Sequence, residues 1–355
     1  MSHFPIGIGL IGTGGIAQNH QLPALSKLQA EGKVRIVAVA ELNEEKSAAV
    51  ASKYSIPNVY TNYADLLSRP DIDAVSVCTP NFLHKQPTID ALRAGKHVLV
   101  EKPIGLNAIE GAEMVETARQ CDRQLMVGLN LRFGTGPKAL KRFIDDGRIG
   151  DIYHARCHTL RRRGIPSWGV FTQKDKQGGG PLIDLGVHIL DLTLWLMGYP
   201  EPMSVTGQTF TKFGTREGVL GLAGQWDTKN FTVEDYGVAM LRFKNGSSLV
   251  IESAFAANIE RDEYYTQLMG TEGGAYINPR DVEQLKIFRE ESGTLTDTTP
   301  FGLKANLSHE DEIRAFVDAI ANNTPVPVPG EQGLMVATIM DAIYKSSDTG
   351  VEVRF

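Results

Sequence analysis

The chain has 355 residues, 42% of them hydrophobic, and 36 Lys and Arg stand against 42 Asp and Glu for a formal net charge of −6. That length and apolar content predict two domains, each with a sizeable core. No basic block occurs beyond Arg161, Arg162 and Arg163, and no apolar run approaches the ~20 residues of a membrane span, so neither nucleic acid nor a membrane is an expected partner. Cys78, Cys121 and Cys157 show neither CxxC spacing nor an even count, so they are expected as core or near-core thiols of a reducing compartment. The first strand is entered by about Phe4, which leaves no room for a signal peptide, and a cytoplasmic protein is expected. No metal is expected.

Residues 5 to 128 alternate short apolar or β-branched runs with helical patterns, the signature of a parallel sheet covered on both faces. Strands are predicted near Ile6 to Ile11, Val34 to Ala40, Ala74 to Val77, His97 to Val100 and Gln124 to Val127. The helices between them are predicted to begin near Gly14, Asn43, Asn81 and Asn107, the last three opening on an Asn able to cap the first turn. After Gly128 the pattern changes. A helix near Gly136 to Asp145 leads to a strand at Ile152 to Thr159 and a loop rich in Arg, Gly, Pro and Trp. Gly178, Gly179, Gly180 and Pro181 then open a helix through about Met197. From Ser204 to Phe288 strand-like runs with turn signals at Lys244-Asn245-Gly246 and Gly273-Gly274 predict a mostly antiparallel sheet. Helices near Glu310 to Ile320 and Glu331 to Lys345, joined by a Pro-rich connection at Pro325 to Pro329, finish the chain. There are no internal repeats, and the expected domains are 1–128 and 129–355.

The first strand runs directly into Gly12, Thr13, Gly14, Gly15, Ile16 and Ala17, a match to G-x-G-x-x-A with a strand before it and a helix after it. Glycines there permit a tight turn and bring backbone amides close to a pyrophosphate at a helix N-terminus. Glu41, 29 positions after Gly12, closes the second strand, where a carboxylate accepts hydrogen bonds from the adenosine ribose and repels a 2′-phosphate. This favours NAD over NADP. Glu44 and Glu45 are rivals for the role, and Glu41 read blandly is a solvated turn residue. After the third of these strands, Thr79 and Asn81 can line the cofactor groove, or Asn81 can simply cap a helix. His84 can lie over the cofactor or be a surface histidine. The run from Ala94 to Val100 ends in Glu101, Lys102 and Pro103. A lysine at the carboxyl end of a parallel strand sits where open α/β sheets bind ligands, although a solvated lysine beside a strand-ending proline is the plainer alternative.

Further along, Asp184, His188 and Asp191 fall at i, i+4 and i+7, on one face of a predicted helix. An acid one turn before a histidine orients the imidazole and stabilises its protonated form, an arrangement suited to general acid–base chemistry near neutral pH. Asp184 as a cap and His188 as a core histidine is the structural alternative. Asp191 reads as structural.

Five features together resemble the glucose–fructose oxidoreductase / inositol dehydrogenase / MocA family. They are G-x-G-x-x-A, the Glu101-Lys102-Pro103 run after Ala94-Gly-Lys-His, Asn130-Leu-Arg132-Phe133, Gly150-Asp-Ile, and Gly179-Gly-x-x-x-Asp184-x-Gly-x-His188-x-x-Asp191. The resemblance spans essentially the whole chain. It implies an N-terminal Rossmann domain followed by an α+β domain with a large, open, mostly antiparallel sheet, whose outer face commonly makes a homodimer or homotetramer. It also implies Lys102, Asp184 and His188 as the catalytic set. The expected NAD-binding set is then Gly12, Thr13, Gly14, Gly15, Ile16, Ala17, Glu41, Thr79, Asn81, His84, Glu101, Lys102 and Asn130.

Leu160 to Phe171 is similar to a subgroup of sugar and glycoside oxidoreductases, some of which oxidise the C3 hydroxyl of glucosides. On that resemblance the substrate set adds Arg161, Arg163 and Trp168 to Lys102, Asp184 and His188. Trp168 is suited to stack on a pyranose or to wall the nicotinamide, and an arginine of the 161–163 run to bind hydroxyls or a carboxylate; a packing tryptophan and a strand-end charge cluster are the alternatives. The expected activity is hydride transfer between NAD and a secondary hydroxyl of a sugar, glycoside or cyclic polyol. The alternatives are an NAD-dependent glycosidase working by transient oxidation and elimination, and a catalytically silent sugar sensor.

Overall fold

Six apolar runs in the first 128 residues become a buried parallel sheet. In the computed structural model, which describes residues 4–306 and 308–355, these strands are β1 (Ile6–Ile11), β2 (Val34–Ala40), β3 (Asn58–Tyr60), β4 (Ala74–Val77), β5 (His97–Glu101) and β6 (Leu125–Gly128). Their order is β3-β2-β1-β4-β5-β6 and every pair is parallel. The order reverses between β1 and β4, which opens a crevice at the carboxyl ends of the strands. The helices are α1 (Leu22–Ala30), α2 (Glu44–Tyr54), α3 (Tyr63–Leu67), α4 (Lys85–Arg93) and α5 (Ala108–Gln120). Asn43 and Asn107 cap α2 and α5, accepting from the amides of Lys46 and Glu110. Asn81 does not cap its helix: Pro80 opens a 3₁₀ turn over Asn81–Leu83, and Asn81 is buried within it. The sequence reading also missed β3 and α3, whose three and five residues are too short for a clear period.

The second sheet has nine strands. Its elements in chain order are α6 (Thr135–Asp145), β7 (Ile152–Leu160), α7 (Lys174–Gln177), α8 (Val187–Leu196), β8 (Pro202–Phe210), β9 (Tyr236–Phe243), β10 (Ser248–Ala254), β11 (Glu263–Gly270), β12 (Gly274–Asn278), β13 (Asp281–Glu291), β14 (Thr294–Thr298), α9 (Ser308–Asn322), α10 (Gly330–Thr349) and β15 (Val353–Arg354). The strand order is β14-β13-β12-β11-β7-β10-β9-β8-β15. All neighbours are antiparallel except β7 and β10. Along β9, Gly237, Ala239, Leu241 and Phe243 are buried while Met240 and Arg242 are exposed, the alternation of a sheet covered on one face. A hydroxyl pair 2.8 Å apart, Thr193 of α8 and Thr266 of β11, places α8 on the covered face.

The compact units do not follow chain order. One comprises residues up to Leu129 with His309–Ala337, the other Asn130–Ser308 with Thr338–Phe355. The return of the late segment has a physical cause at β6. The Val127 amide donates to the Val328 carbonyl at 3.1 Å, Met126 bridges Pro329, and Lys33 pairs with Asp318 at 2.7 Å. Among the described residues no helix is long and apolar enough to cross a membrane.

The core of the second unit encloses one full ion pair. Arg132 Nε donates to Asp191 Oδ2 at 2.9 Å, a second guanidinium N–H reaches Asp191 Oδ1, and the Tyr199 hydroxyl joins both partners. Burial and the adjacent Asp191 carboxylate hold the Tyr199 phenol well above its usual range. Removing one member strands the other charge in a site that is almost fully buried. Asp191→Ala should therefore lower stability by about 3–5 kcal/mol, read from the midpoint of denaturant unfolding. A change below about 1 kcal/mol would show that the structure relaxes around the lost partner.

Candidate active site

Close approach of backbone governs the first turn. Gly12 has φ +89° and a Cβ there would stand 2.8 Å from the Cys78 carbonyl oxygen, so only glycine fits. The Thr13 amide and hydroxyl both donate to Glu41 Oε2, at 3.0 and 2.9 Å, and Lys46 Nζ reaches the same oxygen at 3.1 Å. Burial pushes the Glu41 carboxyl up, but the bonds from Thr13, Lys46 and the Asn43 amide outweigh it and hold the group below the usual carboxylate range. A charged carboxylate therefore closes β2 beside the glycine turn, the arrangement that suits a free ribose diol. Glu44 and Glu45 lie exposed in the first turn of α2. The turn leads into a π-type coil over Ala17–Gln21, which continues as α1.

The loops after β4 and β5 complete this side. Thr79 Oγ1 donates to the Leu83 carbonyl at 3.0 Å. His84 is not a surface residue: it is 1% exposed, with ring nitrogens 2.7 Å from the Pro103 carbonyl and 2.9 Å from the Thr79 carbonyl. Glu101 is buried, and its carboxylate accepts from Gln21 Nε2 at 2.8 Å while Ser76 donates to Gln21 Oε1 at 3.2 Å. Burial raises the Glu101 pKa against the bond from Gln21 and the charge of Lys102. Lys102 itself is half-buried. His20 and His309 stack with ring centroids 4.0 Å apart. Burial, His20 and the charge of Lys102 push His309 down to about 4, so its ring is neutral at neutral pH.

In the second unit the segment Leu182–Gly186 is wound as a π-type turn before α8 begins. The 3.6-residue projection that put Asp184, His188 and Asp191 on one face therefore does not apply across it; Asp191 bonds Arg132 and Tyr199 instead. The turn is held from beneath by Glu234. Its carboxylate accepts from the amides of Gly180 and Leu182 at 2.9 and 3.2 Å and from the Tyr344 hydroxyl at 2.9 Å. Burial raises the Glu234 pKa despite those bonds. Gly180 lies against the same residue, since a Cβ there would stand 2.1 Å from the Glu234 carbonyl oxygen.

Asp184 is 8% exposed and His188 half-buried. Burial lowers the Arg161 pKa while the Asp184 charge opposes it, and the Arg280 guanidinium lies 3.9 Å from the Tyr264 ring centroid. Arg161 also donates to the Gly164 carbonyl at 3.1 Å. Arg163 donates to the Ala257 carbonyl at 2.9 Å and lies over the Phe213 ring. Trp168 is 58% exposed and meets Phe171 edge-on. Asn130 donates to Ser308 Oγ at 2.8 Å. Gln21, Glu234, Tyr264 and Arg280 were absent from the sequence reading. Each is brought in by pairing across long separations, for which no local spacing signals.

Residues 6–129 match a family model described as an oxidoreductase family with an NAD-binding Rossmann fold, and residues 141–355 match its C-terminal alpha/beta domain. The chain belongs to the glucose–fructose oxidoreductase / inositol dehydrogenase / MocA family. It is therefore an oxidoreductase, with NAD as its cofactor. It is 32% identical over 355 residues to a D-glucoside 3-dehydrogenase of Escherichia coli (strain K12), covering 100% of this chain and 99% of that relative. A myo-inositol 2-dehydrogenase of Thermotoga maritima is 26% identical over 349 residues, 98% of each chain. Among solved structures, a levoglucosan dehydrogenase in complex with NADH and levoglucosan superposes with a TM-score of 0.85 at 25% identity, covering 98% of this chain and 99% of that one.

Glu41 has the position and charge to hold the adenosine ribose. Glu41→Ala should weaken NADH binding by roughly 10–150-fold, the equivalent of about 1.5–3 kcal/mol for bonds to a charged group. NADH fluorescence titration measures this, and an unchanged Kd would place the ribose away from Glu41.

Proposed function

We propose that this oxidoreductase oxidises a secondary hydroxyl of a sugar, glycoside or cyclic polyol in the cytoplasm, with the C3 hydroxyl of a glucoside the leading candidate. The observation that carries the reading is end-to-end similarity to a D-glucoside 3-dehydrogenase, together with the presence of Lys102, Asp184 and His188 at the positions the family motifs require.

Bound NAD supplies the hydride acceptor. The chain supplies proton handling and charge. His188 takes the hydroxyl proton as general base, and Asp184, one turn earlier, stabilises the imidazolium that results. Lys102 donates to the reacting oxygen and offsets the negative charge that develops there. Arg161, which feels the charge of Asp184, and exposed Trp168 are assigned to the remaining hydroxyls and the sugar face. A homodimer or homotetramer belongs to the same proposal. On the outer face of the nine-stranded sheet, His158 stacks on Tyr265 and Tyr265 on Tyr276, an aromatic row suited to contact with a second copy.

The experiment is a scan of NADH formation with inositols, free hexoses and alkyl or aryl glucosides. Oxidation confined to glucosides supports the reading, and cleavage of an aryl glucoside without net NADH replaces it with elimination chemistry. With the substrate so found, Lys102→Ala and His188→Ala should each lower kcat by about 10²–10⁴-fold, and His188→Ala should leave the NADH Kd nearly unchanged. Near-normal turnover in both would reject the assigned roles.

A further inference from the structure

His84 stands where two loops of the cofactor side meet, and its ring nitrogens meet the backbone of both. Its Nδ1 lies 2.7 Å from the carbonyl oxygen of Pro103, and its Nε2 lies 2.9 Å from that of Thr79. Thr79 belongs to the loop that leaves β4, and Pro103 directly follows Lys102 at the end of β5. The ring is 1% exposed. With both nitrogens facing backbone carbonyls, His84 has no polar atom left for a dinucleotide or a sugar. Carbonyl oxygens only accept, so the neutral ring makes one of these two bonds and the imidazolium makes both. Burial and the charge of Lys102 press the His84 pKa down while the two carbonyls pull it up, and the net direction is down. At neutral pH the ring therefore carries one N–H, and the shorter contact, to Pro103, is the better candidate to receive it.

We infer that His84 is a positioning residue for Lys102, fixing the lysine's backbone by holding the Pro103 carbonyl one residue away. The inference rests on the catalytic role proposed above for Lys102. The lysine's own partners set its side chain, and His84 sets where that side chain starts. A displacement of about 1 Å in a catalytic group is enough to lower turnover roughly 10²-fold, so a clamp on the adjoining carbonyl acts on rate more than on binding.

Three variants separate this from simple space filling. His84→Asn places an amide nitrogen close to Nδ1 and keeps the Pro103 bond. His84→Gln reaches the Nε2 position and keeps only the Thr79 bond, and His84→Phe fills the volume with no donor. With methyl β-D-glucopyranoside and myo-inositol as probes, His84→Asn should stay within about fivefold of the wild-type kcat, while His84→Gln and His84→Phe should fall by about 10²-fold. The NADH Kd should be the same in all three, and any drop in unfolding midpoint should be alike in His84→Asn and His84→Gln, each of which leaves one carbonyl without its donor. Equal kcat losses in His84→Asn and His84→Gln, wild-type kcat in His84→Phe, or a loss seen in KM, NADH affinity or unfolding in place of kcat would each overturn it. If the wild type oxidises neither probe, the functional reading fails separately, and NADH-bound crystals of the Asn and Gln variants still decide. Lys102 displaced only in His84→Gln supports the clamp; the same Lys102 position in both removes it.

Discussion

The nucleotide half of this protein depends on how closely its backbone approaches itself at Gly12. There the turn after β1 lies against the carbonyl of Cys78 with no room for a side chain. That closeness presents the turn's amides at the strand ends, and Thr13, next in line, donates twice to Glu41. Two polypeptide segments almost thirty residues apart are thereby joined at the carboxyl ends of β1 and β2. The same unit keeps a second polar connection below the surface. Gln21 donates to Glu101 and accepts from Ser76, linking the coil after the glycine turn to β4 and β5. Burial pushes the Glu101 carboxyl up, and the bond from Gln21 and the charge of Lys102 oppose it.

The second unit is organised around buried charge in the same way. Glu234 gathers two amides of the glycine-rich approach and the Tyr344 hydroxyl, so the π-type turn carrying Asp184 is supported from beneath by one carboxylate. Ser253 adds a bond to the Pro181 carbonyl at 2.7 Å. Asp191, two turns further, is committed to Arg132 and Tyr199 in the core. Of three acidic and imidazole groups with helical spacing, the fold therefore commits Asp191 to structure. The extra residue wound into the π-type turn is a common device at functional sites, because it alters the facing of a side chain without breaking the helix.

Much of the fold was legible in the residues. The bounds of β1, β2 and β4 follow from apolar runs ending in turn residues, and the Asn caps of α2 and α5 follow from one side-chain oxygen meeting an unpaired amide. Lys102, Asp184 and His188 lie in motifs that keep strict local spacing. Glu234, Tyr264, Arg280 and Gln21 were not legible, since each reaches its partner across a separation that no window covers. His84 shows a different limit. Its motif marked it as a residue of the cofactor side, but only the coordinates reveal that both ring nitrogens face backbone carbonyls.

By itself, then, the sequence determined the parallel sheet, the glycine turn, the acidic end of β2, and the family to which they belong, because these depend on local periodicity and on residues only a few positions apart. Tertiary structure decided the rest. It returned His309–Ala337 to the first unit, where the Val328 carbonyl accepts from β6, and it buried Asp191 against Arg132. It also wound Leu182–Gly186 away from the regular helical period. Each of these outcomes is a competition among distant partners for buried hydrogen bonds, and an unmade bond inside a protein is too unfavourable for local preference to prevail.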